Sequence, residues 1–186
     1  MLLAAVVAAL ASTASALSFD WAATGVTFDS TKLKSNAGVT GYLIYLASGS
    51  YSEVTLSADS TGTSVAESLG TIVSTANKTT AVSKLAGTAS FDYGTYNNGD
   101  VFGLVLTYAD SSSGKTYFNI ASGTYTLSGV SDETSTPSDA SYSFSWSGPT
   151  ESSKASSGGG WTAVPEPSTA ALALAGLALL LKRRKA

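Results

Sequence analysis

Residues 101–109 read Val-Phe-Gly-Leu-Val-Leu-Thr-Tyr-Ala, and their alternation is typical of a β-strand. Large apolar side chains recur at every second position, at Phe102, Leu104, Leu106 and Tyr108. This is the period at which side chains share one face of a strand. A short polar loop follows at residues 110–114, and a second apolar run occupies residues 116–121. The two runs therefore predict a β-hairpin.

The same period recurs along the chain, in short runs separated by Gly and Ser turns. Further strands are predicted around Phe19 and Trp21, at residues 40–47, 53–57, 124–127 and 141–147, and from Phe91 and Tyr93. Both faces of residues 40–47 are apolar, which predicts a central strand between two layers. We therefore expect a mainly β domain over residues 17–147, built as an antiparallel β-sandwich or a jelly-roll-like fold.

One segment after these early strands has a helical period instead. Val65, Leu69, Ile72 and Val73 fall on one side of a helix within residues 64–84. Thr63 or Ser64 is the expected N-cap, and Glu67 completes a capping-box pattern with Ser64. The sequence therefore predicts one short helix here.

The composition of the chain excludes several kinds of catalytic and metal-binding site. The chain has no cysteine and no histidine, which excludes Ser-His-Asp and Cys-His catalysis and zinc–thiolate sites. Residues 17–164 carry six lysines, no arginine and twelve carboxylates, a net charge near −6. Such a surface argues against nucleic acid as a partner, since that needs clustered cations. We expect no enzyme activity and no cofactor.

The first residues predict an export signal. Residues 2–11 are uninterrupted apolar sequence, and Ala14 and Ala16 flank Ser15 in a small-x-small pattern. This is the layout of a secretory signal peptide and its cleavage site. We expect residues 1–16 to be the signal peptide, with cleavage after Ala16.

The last residues contain three ordered elements. A Gly/Ser-rich stretch at residues 148–161 predicts a flexible linker. Pro165, Glu166 and Pro167 follow, then an apolar run over residues 170–181, and then the cations Lys182, Arg183, Arg184 and Lys185. The apolar run predicts a single transmembrane helix. Counted from residue 168 to residue 181, this helix is about 21 Å long, which is short for a hydrocarbon core of about 30 Å. The cations predict a cytoplasmic end for this segment, and Trp161 is expected at the membrane interface.

This order of elements resembles the PEP-CTERM sorting signal of bacteria, over residues 162–186. The resemblance implies that an exosortase-type membrane transpeptidase recognises Pro165, Glu166 and Pro167 and processes the tail. It also implies a transient anchor in the inner membrane, followed by delivery to the cell surface or to an extracellular polysaccharide matrix.

Carboxylates offer two further candidate sites. Asp92, Asp100 and Asp110 flank the predicted hairpin, and a converging pair would suit glycoside hydrolysis. Each lies at a strand end or turn, where Asp is favoured for local hydrogen bonding. Asp132, Glu133 and Asp139 share one loop and carry the oxygen ligands of calcium, but no Asp-x-Asp-x-Asp loop occurs. We therefore predict neither a catalytic pair nor a metal site.

Aromatic residues are the remaining candidates for ligand binding. Tyr45, Tyr51, Tyr93, Tyr96 and Trp146 would suit a platform that stacks on sugar rings, although strand aromatics usually form the core. Tyr51 and Tyr96 lie near turns and are the candidates for glycan stacking. The predicted function is that of an exported, non-enzymatic structural protein of the cell surface or matrix. A carbohydrate-binding module for surface exopolysaccharide is the alternative, followed by a polysaccharide-active hydrolase.

Overall fold

A computed structural model of the chain describes residues 16–24, 27–28, 31–32, 38–78, 84–110, 113–132, 135–137, 141–144, 154–155 and 161–165. The strands are β1 (Ala16–Thr24), β2 (Thr27–Phe28), β3 (Thr31–Lys32), β4 (Val39–Tyr45), β5 (Val54–Thr55), β6 (Thr71–Lys78), β7 (Lys84–Asp92), β8 (Val101–Ala109), β9 (Thr116–Ile120), β10 (Tyr125–Thr126), β11 (Ser141–Phe144), β12 (Lys154–Ala155) and β13 (Thr162–Ala163). A short helix, α1 (Gly62–Leu69), precedes β6. The predicted mainly β fold with one short helix is confirmed.

The larger sheet has six strands and contains the predicted central strand. Its order is β13-β9-β8-β4-β6, and β10 also pairs with β8. β4 is antiparallel to both of its neighbours, β6 and β8. Its residues Leu43 and Ile44 are fully buried on opposite faces, in two different hydrophobic clusters. The central position of residues 40–47 and the hairpin of β8 with β9 are both confirmed.

The smaller sheet has three strands in the order β11-β1-β7. β1 runs antiparallel to β7 along its whole length, from Ala16 opposite Asp92 to Thr24 opposite Lys84. β1 and β11 are parallel, with Asp20 opposite Ser141. This pair departs from the antiparallel arrangement predicted from the sequence. Alternation in β11 indicates a strand but contains no information on its direction, which depends on the path of the long connection before it.

The two sheets pack face to face around the first hydrophobic cluster, and Trp21 of β1 lies between them. The Trp21 ring covers Gly87, its cross-strand partner on β7, where an added Cβ would lie 2.5 Å from the ring. Trp21 also donates from Nε1 to Oγ of Ser74 on β6 at 3.1 Å. Ser74 donates from the same hydroxyl to the Thr88 carbonyl on β7 at 2.7 Å. One hydroxyl therefore joins the edges of the two sheets.

The second hydrophobic cluster lies on the opposite face of the larger sheet, beneath α1. Its fully or nearly fully buried members are Ile44, Leu46, Leu56, Val65, Ala66, Leu69, Val105, Phe118 and Ile120. The helix presents Val65, Ala66 and Leu69 to this cluster. The molecule thus has three layers: the smaller sheet, the larger sheet, and the helix with its flanking loops.

The predicted bounds of the helix are wrong at both ends. Thr61 is the N-cap, and its side chain and backbone form a reciprocal capping box with Ser64. The helix ends at Leu69, and Ile72 and Val73 belong to β6. β-branched residues follow Gly70, and pairing with β4 is available to them. Strand pairing therefore overrides the apolar spacing that suggested a longer helix.

Two strand predictions also change. Val54 and Thr55 pair with Ala155 and Lys154, and not with the neighbouring β4. Tyr93, predicted to begin a strand with Phe91, follows the end of β7 in a turn. This turn contributes to the site described below.

Candidate functional site

The segment that leads into the predicted sorting motif is part of the larger sheet. β13 pairs antiparallel with β9, placing Thr162 opposite Phe118 and Ala163 opposite Tyr117. The ladder continues one residue further, because the Val164 backbone N–H donates to the Thr116 carbonyl at 2.8 Å. The fold therefore holds the chain in place up to the residue before Pro165.

Trp161 lies inside the folded domain and not at the expected membrane interface. It is 1 % exposed, and its ring packs edge-on against Tyr108 with centroids 5.9 Å apart. Lys154 and Ala155, which also lie in the predicted linker, pair with β5. Residues 148–161 therefore include paired and buried positions, whereas their Gly/Ser composition suggests a freely flexible linker. The signal that could have shown this is the large apolar ring that ends an otherwise polar stretch.

Pro165 lines a cleft at the end of β13. The cleft has a volume of about 320 Å³ and is formed by Ala58, Ser60, Ser113, Gly114, Lys115, Thr116, Val164 and Pro165. Glu166, Pro167 and the four cations at residues 182–185 lie outside the described residues. No helix in the described part of the chain combines the length and apolar character needed to cross a membrane. The first residue of the predicted motif thus lies against the domain surface.

The predicted cleavage site lies at the start of β1. Ala14 is outside the described residues, whereas Ala16 is exposed and begins the strand opposite Asp92. Leu17, the next residue, is 3 % exposed and belongs to the first hydrophobic cluster. Leu17, the predicted first residue of the mature chain, is therefore part of the core.

Tyr51, the first predicted stacking residue, occupies a gap in the larger sheet. Its hydroxyl accepts a hydrogen bond from the Leu104 backbone N–H at 2.8 Å and donates to the Gly123 carbonyl at 3.1 Å. The ring lies on Gly103, where an added Cβ would be 2.5 Å away. Burial raises the pKa of the Tyr51 phenol well above its usual range. Stacking of a sugar on Tyr51 stays a prediction. Because the ring is half-buried, a sugar could contact only its exposed part.

Tyr96, the second predicted stacking residue, lies in a second cleft, of about 360 Å³. We call this the tyrosine cleft; it is lined by Tyr93, Gly94, Tyr96, Asn97, Asn98 and Val130. Tyr93 is 45 % exposed and is the exposed large hydrophobic residue of the described part of the chain. The alternation that begins at Phe91 predicted a strand at Tyr93. The adjacent Gly94, with a φ of 83°, is the signal that a turn begins there.

The Tyr96 ring is fixed by three other aromatic rings. Its centroid lies 5.0 Å from that of Tyr45, 5.0 Å from Phe91 and 5.1 Å from Phe102. The contacts with Phe91 and Phe102 are edge-to-face, the arrangement that aromatic quadrupoles favour. Burial raises the pKa of Tyr96, and the neighbouring Tyr45 and Asp100 contribute in the same direction. Tyr96 therefore forms a rigid wall of the cleft.

Hydrogen bonds hold the loops that form the tyrosine cleft. The Asn98 side chain donates to the Val130 carbonyl at 2.8 Å and accepts from the Val130 N–H at 3.0 Å. The Asp100 carboxylate accepts from the Asn97 backbone N–H at 2.7 Å, and its other oxygen accepts from the Tyr45 hydroxyl at 3.4 Å. Asn98 thus joins the two loops, and Asp100 closes the turn.

Asp100 and Asp110 do not form the pair that glycoside hydrolysis requires. Asp100 precedes β8 and Asp110 follows it, so the strand separates them by about 30 Å, whereas catalytic pairs lie within about 10 Å. Asp110 accepts from the Ser113 backbone and hydroxyl at 3.2 and 2.7 Å, a local turn interaction. The suggested convergence of Asp110 with Asp100 is therefore wrong.

The candidate calcium loop lies only partly within the described residues. Asp132 accepts from the Ser135 hydroxyl at 2.9 Å, whereas Glu133 and Asp139 are outside them. In the ranges that the structure describes, no three His, Cys, Asp or Glu side chains come together as a metal site would need.

Comparison with known proteins locates one family signature in this chain. Residues 163–185 match the family model of the PEP-CTERM protein-sorting motif, so the match begins inside β13. No curated protein and no solved structure matches the chain. The motif implies export and sorting toward the cell surface by exosortase-type membrane machinery. The residues that match the PEP-CTERM protein-sorting motif, 163–185, therefore begin within β13, at the end of the larger sheet.

Proposed function

We propose that this chain is a non-enzymatic structural protein of the cell surface or the extracellular polysaccharide matrix. The observation that carries the proposal is the sorting motif at residues 163–185. In this proposal, residues 1–16 are a signal peptide removed on export. The apolar run at residues 170–181 is a transmembrane helix that anchors the chain transiently in the inner membrane, with Lys182 to Lys185 on the cytoplasmic side.

The lack of enzyme activity is part of the proposal and has its own support. Histidine and cysteine are absent from the chain, which removes the usual general base and the thiol nucleophile. Asp100 and Asp110 serve as hydrogen-bond acceptors in turns at opposite ends of β8. A hydrolase is accordingly the least favoured of the three functions.

Alanine substitution of Pro165, Glu166 and Pro167 tests the sorting role in the native host. Because two prolines fix the backbone, the segment stays extended and cannot join a following helix. A processing enzyme can recognise such an extended segment. We expect the variant to accumulate in the inner membrane, measured by membrane fractionation and by protease accessibility on intact cells. Alanine substitution of Ser156, Ser157 and Gly158 is the matched control. Surface delivery equal to that of the control would contradict the proposed role.

The signal peptide has a separate test. Mass spectrometry of the exported protein should find a mature chain beginning at Leu17, the residue after the predicted cleavage site. An intact N-terminus on surface-exposed protein would rule out cleavage. The alternative function, a carbohydrate-binding module, is favoured by the tyrosine cleft.

A further inference from the structure

The tyrosine cleft combines an exposed aromatic side chain with a fixed one. Tyr93 is 45 % exposed and makes no ring contact within the described part of the chain, whereas Tyr96 contacts three aromatic rings. The cleft volume of about 360 Å³ falls in the range of small-molecule sites, which starts near 300 Å³. We propose that the tyrosine cleft binds a neutral carbohydrate chain, with one or two of its sugar rings stacked between Tyr93 and Tyr96.

The aromatic walls suit the apolar face of a sugar ring. Tyrosine offers a large, flat surface at low conformational-entropy cost, together with a hydroxyl that remains available for hydrogen bonding. The three ring contacts of Tyr96 fix one wall before any ligand arrives, so little ordering is required on that side. Val130 adds an apolar contact on the opposite loop, which Asn98 holds in place.

The polar groups of the cleft suit hydroxyls. The Asn97 side chain and the hydroxyls of Tyr93 and Tyr96 form no hydrogen bond with other residues that the structure describes. An amide offers both donors and an acceptor, and a phenol offers one of each, which matches the dual character of sugar hydroxyls. The Asn97 backbone is held by Asp100, so the direction of its side chain is constrained.

The charge of the cleft selects between classes of glycan. No charged residue lines it, and the carboxylates that adjoin its lining residues in the sequence or by hydrogen bonding are those of Asp92, next to Tyr93, and Asp100, bonded to Asn97. No lysine is available among the lining residues to pair with a uronate or sulfate. An anionic polysaccharide would therefore meet repulsion without compensation, whereas a neutral one would not.

Affinity electrophoresis of the full-length protein tests this inference. The protein is solubilised in a detergent without a sugar headgroup, and the gels contain a neutral β-glucan, a galactomannan, dextran, alginate or no polymer. We expect at least one neutral polymer to retard the protein, and alginate to have no effect. Retardation by alginate alone, or by no polymer, would overturn the proposal. The measurement uses purified protein, so its outcome is independent of whether the sorting role holds.

Substitutions then locate the binding to the cleft. Tyr93→Ala and Asn97→Ala should each weaken binding by about tenfold, which corresponds to the loss of a contact of about 1.4 kcal/mol. Tyr93→Phe should retain stacking and most of the affinity. Asn77→Ala is the matched control, because Asn77 is exposed at the far end of β6. Equal weakening by Asn77→Ala, or none by Tyr93→Ala, would place the glycan elsewhere and overturn the proposal.

A peptide ligand is the competing outcome. A proline-rich segment also docks on tyrosines, so a poly-L-proline peptide is titrated into the same variants. Peptide binding that Tyr93→Ala abolishes, without any retardation by neutral polymers, would assign the cleft to a protein partner and overturn the carbohydrate inference. Thermal unfolding of each variant confirms that the fold persists, as expected for exposed side chains.

Discussion

The indole nitrogen of Trp21 lies 3.1 Å from Oγ of Ser74, and this hydrogen bond connects the two sheets at one edge. Trp21 is 1 % exposed, so its N–H has little access to water in place of this acceptor. Ser74 also donates to the Thr88 carbonyl, which fixes the direction of its hydroxyl. The two bonds make Ser74 a polar junction between β1, β6 and β7.

Ser74→Ala should lower the free energy of unfolding by about 1–3 kcal/mol, because the buried Trp21 N–H then lacks an acceptor. Urea unfolding of the purified protein measures the change. Ser90→Ala is the matched control, since Ser90 is exposed on β7 and should change stability by less than about 0.5 kcal/mol. Similar losses of unfolding free energy in Ser74→Ala and Ser90→Ala would show that the hydrogen bonds of Ser74 make no specific contribution to stability.

Tyr51→Phe should be destabilising by a comparable amount, about 1–3 kcal/mol. The substitution keeps the ring on Gly103 but leaves the Leu104 N–H, in a fully buried residue, without its partner. Tyr93→Phe removes a hydroxyl from an exposed tyrosine and serves as the comparison. If both variants unfold at the same urea concentration, the Tyr51 hydroxyl does not stabilise the sheet.

Alkaline pH should destabilise the fold through Tyr51. The folded pKa of this phenol is raised above its ordinary value of 10.0, so the unfolded chain releases the proton first. The stabilising contribution is therefore complete below about pH 10 and is lost as the pH rises, by at most about 1.4 kcal/mol per pH unit for this group. Unfolding free energies measured across this range should fall less steeply in Tyr51→Phe than in the unsubstituted protein. Parallel curves would contradict this assignment.

Two truncations separate the domain from its tail. A chain that stops after Val164 keeps Trp161 and β13 and should unfold cooperatively, at a temperature close to that of the full chain. A chain that stops after Gly160 lacks the buried Trp161 ring and should lose at least about 3–5 kcal/mol. Calorimetry of both proteins checks the difference, and Trp161→Ala in the full chain isolates the ring. Equal stability of the two truncations would mean that the fold ends before Trp161.

The strands that the sequence predicted best are those with strict local alternation. Phe102, Leu104, Leu106 and Tyr108 all lie in the first hydrophobic cluster, as their spacing indicates. The pairing of β8 with β9 also follows from local information, because a short loop joins neighbouring strands in an antiparallel hairpin. The local pattern was sufficient to predict strand pairing wherever the partner strand lay nearby in the sequence.

The misplaced features depend on partners far along the chain. Tyr51 is held by Leu104 and Gly123, and Trp161 by Tyr108, contacts that no short window of sequence contains. The exposure of Tyr93 could not be predicted for a related reason, because Tyr93 continues the alternation that Phe91 begins. Gly94 ends that alternation, and only the fold shows that Tyr93 is left on the surface beside Tyr96.

The position of β13 at the sheet edge has a mechanical consequence for a protein held by its tail. Where tension beyond Pro165 acts along β13, its pairing with Tyr117 and Phe118 and the bond from Val164 to Thr116 would share the load in shear. Behind them, the Trp161 side chain would have to be drawn past Tyr108 before the strand could leave. A buried ring directly before β13 would thus oppose removal of this strand from the sheet under tension.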